Sequence, residues 1–296
     1  MYRGAHIAVV VPAYNEARLI GRTLASIPSW VDQIVVVDDA SQDDTLEQVV
    51  GLDEERSTVL RHTKNEGVGA AIATGYRFAF QDGAEIAVVM AGDGQMDPAD
   101  LPRLLDPVVE GRASYVKGDR LGWPGVRKTM PPLRWLGNHL LSALTRAATG
   151  LEIGDSQCGY TAISREAAEA LERTSSWRGY GYPNDFLGTL ACTRLHVVDV
   201  PVRPIYGEEE SGIRPRHVLV TIPMVLARVT LRRWLVERGQ QLAEPERFVA
   251  PFSTVQRALR HRGERPRSPA SEARENPRPS RVLRDSGLHF QPNDAE

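Results

Sequence analysis

A run of small and polar residues at positions 91–97 has the composition of a divalent-cation site. It directly follows Ile86–Met90, a short apolar segment typical of a buried parallel strand. Asp93 and Gln95 offer the oxygen ligands that Mg²⁺ or Mn²⁺ prefers, and Gly92 lets the backbone approach a phosphate closely. The alternative interpretation is a polar turn between the strand and the next helix.

Polar residues also follow two earlier strands, which the β-branched runs Ile7–Val11 and Ile34–Val37 predict. An aromatic ring there can stack on a base, and carboxylates and amides can bond to the base or the ribose. Each residue alone would fit a helix cap or a turn, but together at successive strand ends they predict a nucleotide site. Its candidates are Pro12, Ala13, Tyr14, Asn15, Glu16, Asp38 and Asp39.

A glycine-containing loop, Asn65–Gly69, opens the helix that we predict to run to about Phe80. Such loops can cradle phosphates, and Asn65 and Gly69 are therefore added to the nucleotide candidates. The motif is nonspecific by itself, and the dinucleotide-binding fingerprint is absent after the first strand.

The elements that position these residues alternate regularly. Strand, loop and helix follow one another four times before residue 100, with Thr58–Arg61 as the third strand and helices over Arg18–Ser26 and Thr45–Val50. This alternation predicts an α/β fold with a doubly wound sheet.

Composition limits the class of protein. The chain has 296 residues, 42% of them hydrophobic, which suffices for one sizeable core, and its net charge of −2 gives no reason to expect nucleic acid. Cys158 and Cys192 form neither a disulfide framework nor a metal motif. The longest uncharged apolar run, Val218–Ala227, is shorter than the roughly 18 residues of a membrane span, and the first residues lack a signal-peptide pattern. We expect a cytoplasmic protein, at most peripheral on the cytoplasmic face of the membrane.

Four ordered motifs resemble those of family 2 glycosyltransferases. They occupy residues 11–16 (VPAYNE), 36–45 (VVDDASQDDT), 65–70 (NEGVGA) and 92–98 (GDGQMDP). The likeness covers about residues 5–215 and is greatest to the branch that contains dolichyl-phosphate mannosyltransferases and bacterial polyprenyl-phosphate sugar transferases.

This resemblance implies a GT-A fold, a mostly parallel sheet with flanking helices, in a catalytic domain over residues 1–216. It also implies a GDP- or UDP-hexose donor, a Mg²⁺ or Mn²⁺ ion and inversion at the anomeric carbon. By the resemblance, Asp93 and Gln95 hold the metal, and the nucleoside is held by Pro12, Tyr14, Glu16 and Asp39. The family usually has two acids in its metal motif, whereas Ala91 stands in the first place here.

The acceptor side is predicted from three further motifs of the family. Arg120 ends the segment that resembles Gly-Ser-Arg, where it would reach a phosphate or form a surface ion pair. Asp155 lies in the acceptor motif together with Gln157, and it is the candidate for a base or an acceptor-orienting carboxylate, or else caps a linker. Asp185 stands near the family's helix-start glutamate. We therefore group Asp93, Arg120 and Asp155 as the catalytic candidates.

A basic loop decides between acceptors in this branch. Ser211 is present, but the usual Arg and Lys are missing, and Arg214 and Arg216 are the residues that would replace them in phosphate binding. Two acceptors stay open, a lipid phosphate and a hydroxyl of a glycan or metabolite. Ala91 and the altered loop also leave open a nucleotide-sugar-binding protein without catalysis.

Two amphipathic segments complete the description. Arg134–Thr149 predicts a helix with Leu136, Leu140, Leu141, Leu144 and Ala148 on one side. Such a stripe is usually core, although in the family this segment borders the acceptor cleft; a Gly- and Pro-rich loop over Leu121–Pro132 precedes it. Residues 217–261 predict an amphipathic helical segment. Its helix His217–Arg238 carries Arg228 and Arg232 and has Trp234 near its end, and it would lie on an anionic membrane, on the domain's own core or on a second copy in a homodimer. Residues 262–296 are Arg- and Pro-rich, and we expect them to be disordered.

Overall fold

The computed structural model describes residues 1–52, 54–174, 176–193, 195–206, 220–238 and 281–284. Within them, one sheet has the strand order β7-β5-β6-β4-β1-β2-β3-β8, and only β6 runs antiparallel to its neighbours. The strands are β1 (Ile7–Ala13), β2 (Gln33–Asp38), β3 (Ser57–Arg61), β4 (Ile86–Val89), β5 (Tyr115–Asp119), β6 (Thr161–Ser164), β7 (Val197–Pro201) and β8 (Arg281–Arg284).

Helices cover the sheet. They are α1 (Ile20–Ser26), α2 (Thr45–Gly51), α3 (Val68–Gln81), α4 (Leu101–Val109), α5 (Val126–Thr129), α6 (Pro132–Thr149), α7 (Arg165–Glu172), α8 (Tyr182–Leu190) and α9 (Ile222–Glu237). This mostly parallel, doubly wound arrangement is the GT-A architecture that the motif series implies, and the prediction of fold class is confirmed. None of these described helices is both long enough and apolar enough to cross a membrane.

The core lies on both faces of the sheet. Strands β1, β2 and β4 are buried along their whole length. Their runs of β-branched residues and alanine agree with this burial, because a parallel strand that is covered on both faces has no polar side. Alternate residues of β1 therefore belong to two different core clusters, with Val9 in one and Val10 in the other.

Parallel pairing brings the carboxyl ends of the strands to one edge. Ala13 at the end of β1 lies opposite Asp38 at the end of β2, and Val10 of β1 lies opposite Val89 at the end of β4. The predicted metal and nucleotide loops therefore leave the sheet side by side. Ligands in open α/β sheets bind at this edge.

The apolar stripe of α6 is divided in the structure: Ala148 is buried and Leu141 packs against the same core cluster, but the other three leucines are exposed, and for them the core expectation was wrong. Leu136 and Leu140 are each 60% exposed and Leu144 is 47% exposed, because α6 turns its other face to α8 and α9. Leu133, at the start of the helix, is 83% exposed. These four residues are called the leucine face below.

Two further expectations differ from the structure. The predicted loop over Leu121–Pro132 contains the short helix α5, which begins after Gly125 in the left-handed conformation that glycine adopts without strain. The tail predicted to have no structure contributes β8, which pairs in parallel with β3.

Candidate functional site

The metal loop follows β4. Asp93 Oδ1 accepts a hydrogen bond from the amide of Gln95, 3.0 Å away, and Gly94 has a positive φ of 71°. A Cβ at Gly92 would lie 2.8 Å from Ile20 Cδ1, so the loop packs closely against α1 at this glycine. The arrangement holds Asp93 and Gln95 at the edge of the sheet, as the sequence predicts.

The pKa of Glu16 reflects its burial and the negative charges that lie close to this loop. Burial, and then the charges of Asp93 and Asp43, raise the pKa of Glu16 to about 7. Carboxylates brought this close repel one another, and a divalent cation would relieve that repulsion. The described residues contain no group of three acidic, histidine or cysteine side chains placed to hold a metal alone. The oxygen donors of Asp93 and Gln95 therefore fit a cation only if a diphosphate completes its shell.

The loops after β1 and β2 are bonded to each other. The amide of Asn15, which has a positive φ of 57°, donates to Ser41 Oγ at 3.0 Å, and the amide of Glu16 donates to Thr45 Oγ1 at 2.8 Å. The ring of Tyr14 stays 41% exposed at the same edge. These hydrogen bonds hold the two loops together, beside an aromatic ring that is accessible for stacking.

Asp38 and Asp39 have different surroundings. Asp39 uses both carboxylate oxygens within the protein: Oδ1 accepts from Glu66 and lies 2.7 Å from His62 Nδ1, and Oδ2 accepts from Gly67. Asp38 Oδ1 accepts from Ser41, but its buried Oδ2 has no hydrogen bond among the described residues, although Arg61 Nε is 3.2 Å away.

These bonds set the titration of Asp39. Burial alone would raise its pKa, but the hydrogen bonds from His62, Glu66 and Gly67 lower it below the usual range. His62 is itself held by Thr74 Oγ1, 3.0 Å from Nε2. Asp39 is therefore an ionised group that fixes the Asn65–Gly69 loop.

The glycine-containing loop does not leave its amides open. Gly69 donates its amide to the carbonyl of Arg178 at 2.6 Å, and Ala70 donates to the same oxygen. A Cβ at Gly67 would lie 2.6 Å from that carbonyl, so the glycines serve close packing. The amide of Gly69 is therefore engaged within the protein, and Asn65 is an exposed residue of this loop.

On the acceptor side, Arg120 and Asp155 form a bidentate buried pair. Arg120 Nε donates to Asp155 Oδ2 at 2.6 Å and Nη2 donates to Oδ1 at 3.1 Å, with Asp155 wholly buried. Burial alone would raise the pKa of Asp155, but the charge and bonds of Arg120 lower it. The ion pair of Arg120 is buried, whereas the alternative interpretation expected one at the surface. Because its pKa is lowered, Asp155 is poorly suited to accept a proton.

Residues 154–159, called the acceptor loop here, contact the metal loop. A Cβ at Gly159 would lie 3.0 Å from Tyr182 Oη and 3.4 Å from Met96 Cε. Tyr160 Oη donates to the carbonyl of Asp97 at 2.9 Å. Gln157 bonds through Nε2 to Ser156 and Asn184. The acceptor loop therefore lies beside the metal loop.

Asp185 does not join this site as an acceptor ligand. Its Oδ2 accepts the amide of Trp177 at 2.8 Å, and its Oδ1 lies 3.5 Å from Arg228 Nε and 4.0 Å from Arg232 Nη1 of α9. The carboxylate thus fastens α9 to α8. The two arginines, predicted to face a membrane, turn toward the protein.

Some residues of the site carry no signal in a single sequence. His62, Arg61, Tyr182 and Lys117 all lie at or under the loops, yet none belongs to a motif whose chemistry singles it out. Their positions follow from long-range packing, which a single sequence does not show. The candidates Ser211, Arg214 and Arg216 lie outside the described residues.

Comparisons with known proteins place this site in a family. The model described as "Glycosyl transferase family 2" matches residues 8–172. The chain is 31% identical, over 72% of its length and 91% of the relative, to the UDP-N-acetylglucosamine--dolichyl-phosphate N-acetylglucosaminyltransferase of Methanococcus voltae. It is 30% identical to the undecaprenyl-phosphate mannosyltransferase of Micrococcus luteus, over 70% of this chain and 85% of that protein.

A solved structure shares the fold. It is the glucosyl-3-phosphoglycerate synthase of Mycobacterium tuberculosis in complex with Mn²⁺, UDP-glucose and phosphoglyceric acid, with a TM-score of 0.56 and 24% identity. The alignment covers 78% of this chain and 80% of that one.

Proposed function

Because the chain belongs to glycosyl transferase family 2, we propose that it transfers a hexose from a nucleotide-diphosphate sugar to a polyprenyl or dolichyl phosphate, with inversion at the anomeric carbon. The chain is a glycosyltransferase, and two relatives that it matches over most of their length are named as lipid-phosphate sugar transferases. The finer parts of the proposal rest on the geometry of the site.

We choose a phosphate over a hydroxyl as the acceptor because of the Arg120–Asp155 pair. A hydroxyl acceptor needs a base, and a carboxylate with a lowered pKa in a bidentate arginine pair is a weak one. A phosphate monoester is already ionised near neutral pH, because its second pKa is about 6. Asp155 uses two of the five N–H donors of Arg120, which leaves three to bind an anionic acceptor.

In the reaction we propose, a phosphate oxygen of the acceptor attacks the anomeric carbon from the face opposite the nucleotide. The bond between that carbon and the diphosphate oxygen breaks, and the nucleoside diphosphate leaves. Arg120 binds and orients the attacking phosphate, and Asp155 holds the guanidinium in place. No proton has to move before the attack.

For the donor, we propose that Asp38 and not Asp39 bonds to the base. Asp38 Oδ2 is a buried acceptor that is ion-paired with Arg61 at 3.2 Å but has no hydrogen bond among the described residues, so it keeps the capacity to accept a base N–H. Tyr14 would stack on the ring. Asp93 and Gln95 would hold Mg²⁺ or Mn²⁺ with the diphosphate. When bound, the cation neutralises charge on the departing group.

We further propose that the leucine face of α6 lies on an anionic membrane. Its four side chains recur three or four residues apart on one side of the helix, and Arg127, Lys128 and Arg134 flank them. Ser142 of the same helix accepts the amide of Ser156 at 2.9 Å. The helix that would enter the interface thus also supports the acceptor loop.

A donor and acceptor screen tests the proposal. UDP- and GDP-hexoses are ranked by the rise in melting temperature with Mn²⁺, and the best donor is then incubated with farnesyl phosphate. We expect release of the nucleoside diphosphate that depends on both farnesyl phosphate and the cation. Transfer to a glycan or metabolite hydroxyl but not to farnesyl phosphate would contradict it, and donor binding without any turnover would point to a binding protein.

A further inference from the structure

Lys117 is a lysine in the middle of the sheet. It lies in β5 with no exposed surface, opposite Thr161 of β6 and Asp199 of β7. Burial lowers the pKa of Lys117, because a buried ammonium loses hydration that only nearby acceptors and negative charges can replace. A methionine of similar length would fill this space without that penalty, and the folded core alone gives no reason for the charge.

The ammonium group of Lys117 contacts the acceptor loop from within the sheet. Lys117 Nζ donates to the backbone carbonyl of Cys158, and the negative charges of Asp155 and Asp199 oppose the effect of burial on its pKa. Asp199 accepts the amide of Gly154 at the other end of the loop. Two charged residues that face each other on adjacent strands therefore hold both ends of the acceptor loop.

Asp155 lies between these two attachments. Its carboxylate accepts the amide of Gln157 as well as the two bonds from Arg120, so any movement of the loop would move the guanidinium with it. In a site built on positioned charges, a displacement of about 1 Å is enough to weaken function.

We propose that Lys117 is a positioning residue for the acceptor. By holding the Cys158 carbonyl, it fixes the acceptor loop so that Asp155 presents Arg120 to the anionic group of the acceptor. This inference rests on the proposed function, and it predicts that Lys117 matters for acceptor binding and not for donor binding.

The test compares Lys117→Met with the parent chain, using farnesyl phosphate and the donor that the parent prefers. Methionine keeps the length of the side chain and removes the donor and the charge. We expect the KM for farnesyl phosphate to rise at least about tenfold, while the KM for the donor stays within about twofold. Lys117→Gln, which keeps an N–H donor, should recover part of the loss.

Val116→Ala is the matched control, because it removes buried volume from the same strand on the opposite face. A merely structural role of Lys117 predicts that Lys117→Met and Val116→Ala lower the melting temperature without changing the KM for farnesyl phosphate, and this result would overturn the inference. If Lys117→Met is not recovered folded, Lys117→Gln is judged by the same ratio of the two KM values. A parent chain that transfers nothing to farnesyl phosphate would overturn the proposed function itself, and this inference with it.

Discussion

Two neighbouring acids at the end of β2 have opposite surroundings. Asp39 is engaged on both oxygens by His62 and two backbone amides, whereas Asp38 keeps a buried oxygen without a hydrogen bond among the described residues. Adjacent residues at a strand end point in different directions, so one can support the loop while the other faces the ligand.

Asp38→Asn tests the assignment of the base-binding acid. Loss of a buried hydrogen bond to the ligand costs about 1–3 kcal/mol, or roughly 5- to 150-fold in affinity. We expect this loss in the Kd for the nucleoside diphosphate, measured calorimetrically, together with a lower melting temperature, because the ion pair with Arg61 is also lost. An unchanged Kd would place the base elsewhere.

Asp39→Asn should instead act on stability in a pH-dependent way. Because the pKa of Asp39 is lowered on folding, its ionised form stabilises the protein above the unfolded pKa of about 3.9 and loses that effect as pH falls through the folded value. The variant should lower the free energy of unfolding by about 1–3 kcal/mol at pH 7. Urea titrations that give the same deficit at pH 3 would refute this reading.

Asp93→Ala tests the metal site. Removal of a ligand to a charge-neutralising cation should cost about 3 kcal/mol or more of transition-state stabilisation, which lowers turnover about 100-fold. The variant should also lose the Mn²⁺-dependent part of nucleotide binding. Glu85→Ala, an exposed acid before the other end of β4, is the control. Full turnover by Asp93→Ala at saturating Mn²⁺ would exclude the assignment.

At the scale of elements, α6 and α9 pack side by side and both expose apolar side chains. α6 exposes its leucine face, while α9 buries Ile222, Val225 and Val229 and exposes larger side chains on its other side, among them Met224 and Leu231. Gly188 of α8 leaves no room for a Cβ beside Val229, so the helices approach closely. The leucine face, rather than the arginines of α9, is therefore the surface that we expect to contact a membrane.

Vesicle binding tests the leucine face directly. Leu136→Asp combined with Leu140→Asp should weaken sedimentation with anionic vesicles at least about tenfold, since each buried leucine contributes roughly 1.5–3 kcal/mol. Leu52→Asp, at an exposed leucine after α2, is the control. Equal binding by both variants would mean that another surface holds the membrane.

Asp185→Asn tests how α9 is attached. Asp185 faces Arg228 and Arg232 from a fully buried position, and Arg232 also donates to Thr189 at 2.6 Å. Loss of its charge should lower the free energy of unfolding by about 1–3 kcal/mol. Glu237→Ala, which removes an exposed pair on the same helix, should cost only about 0.3–0.5 kcal/mol. Equal urea midpoints for the two variants would argue against the attachment.

For the whole molecule, the sequence predicts strands β1 to β4 and the loops at their ends, because continuous β-branched runs and glycine-acid turns are local signals, but it does not predict the antiparallel strand β6. It does not predict which part of a helix is covered, so Leu136, Leu140 and Leu144 are expected in the core but are exposed. Nor does it show that Arg178 occupies the amide of Gly69, since residues more than a hundred positions apart make that contact. Strand register, a long-range property, brings Lys117 and Asp199 together.

The acceptor is the central claim, and one pair of compounds tests it. Farnesyl phosphate and farnesol differ only in the phosphate, so incubation of each with the preferred donor and Mn²⁺, followed by mass spectrometry, isolates the role of that group. The site predicts a hexose adduct of farnesyl phosphate and none of farnesol, because Arg120 binds the anion and Asp155 is too acidic to serve as a base. An adduct of farnesol formed as fast as that of farnesyl phosphate would contradict the account.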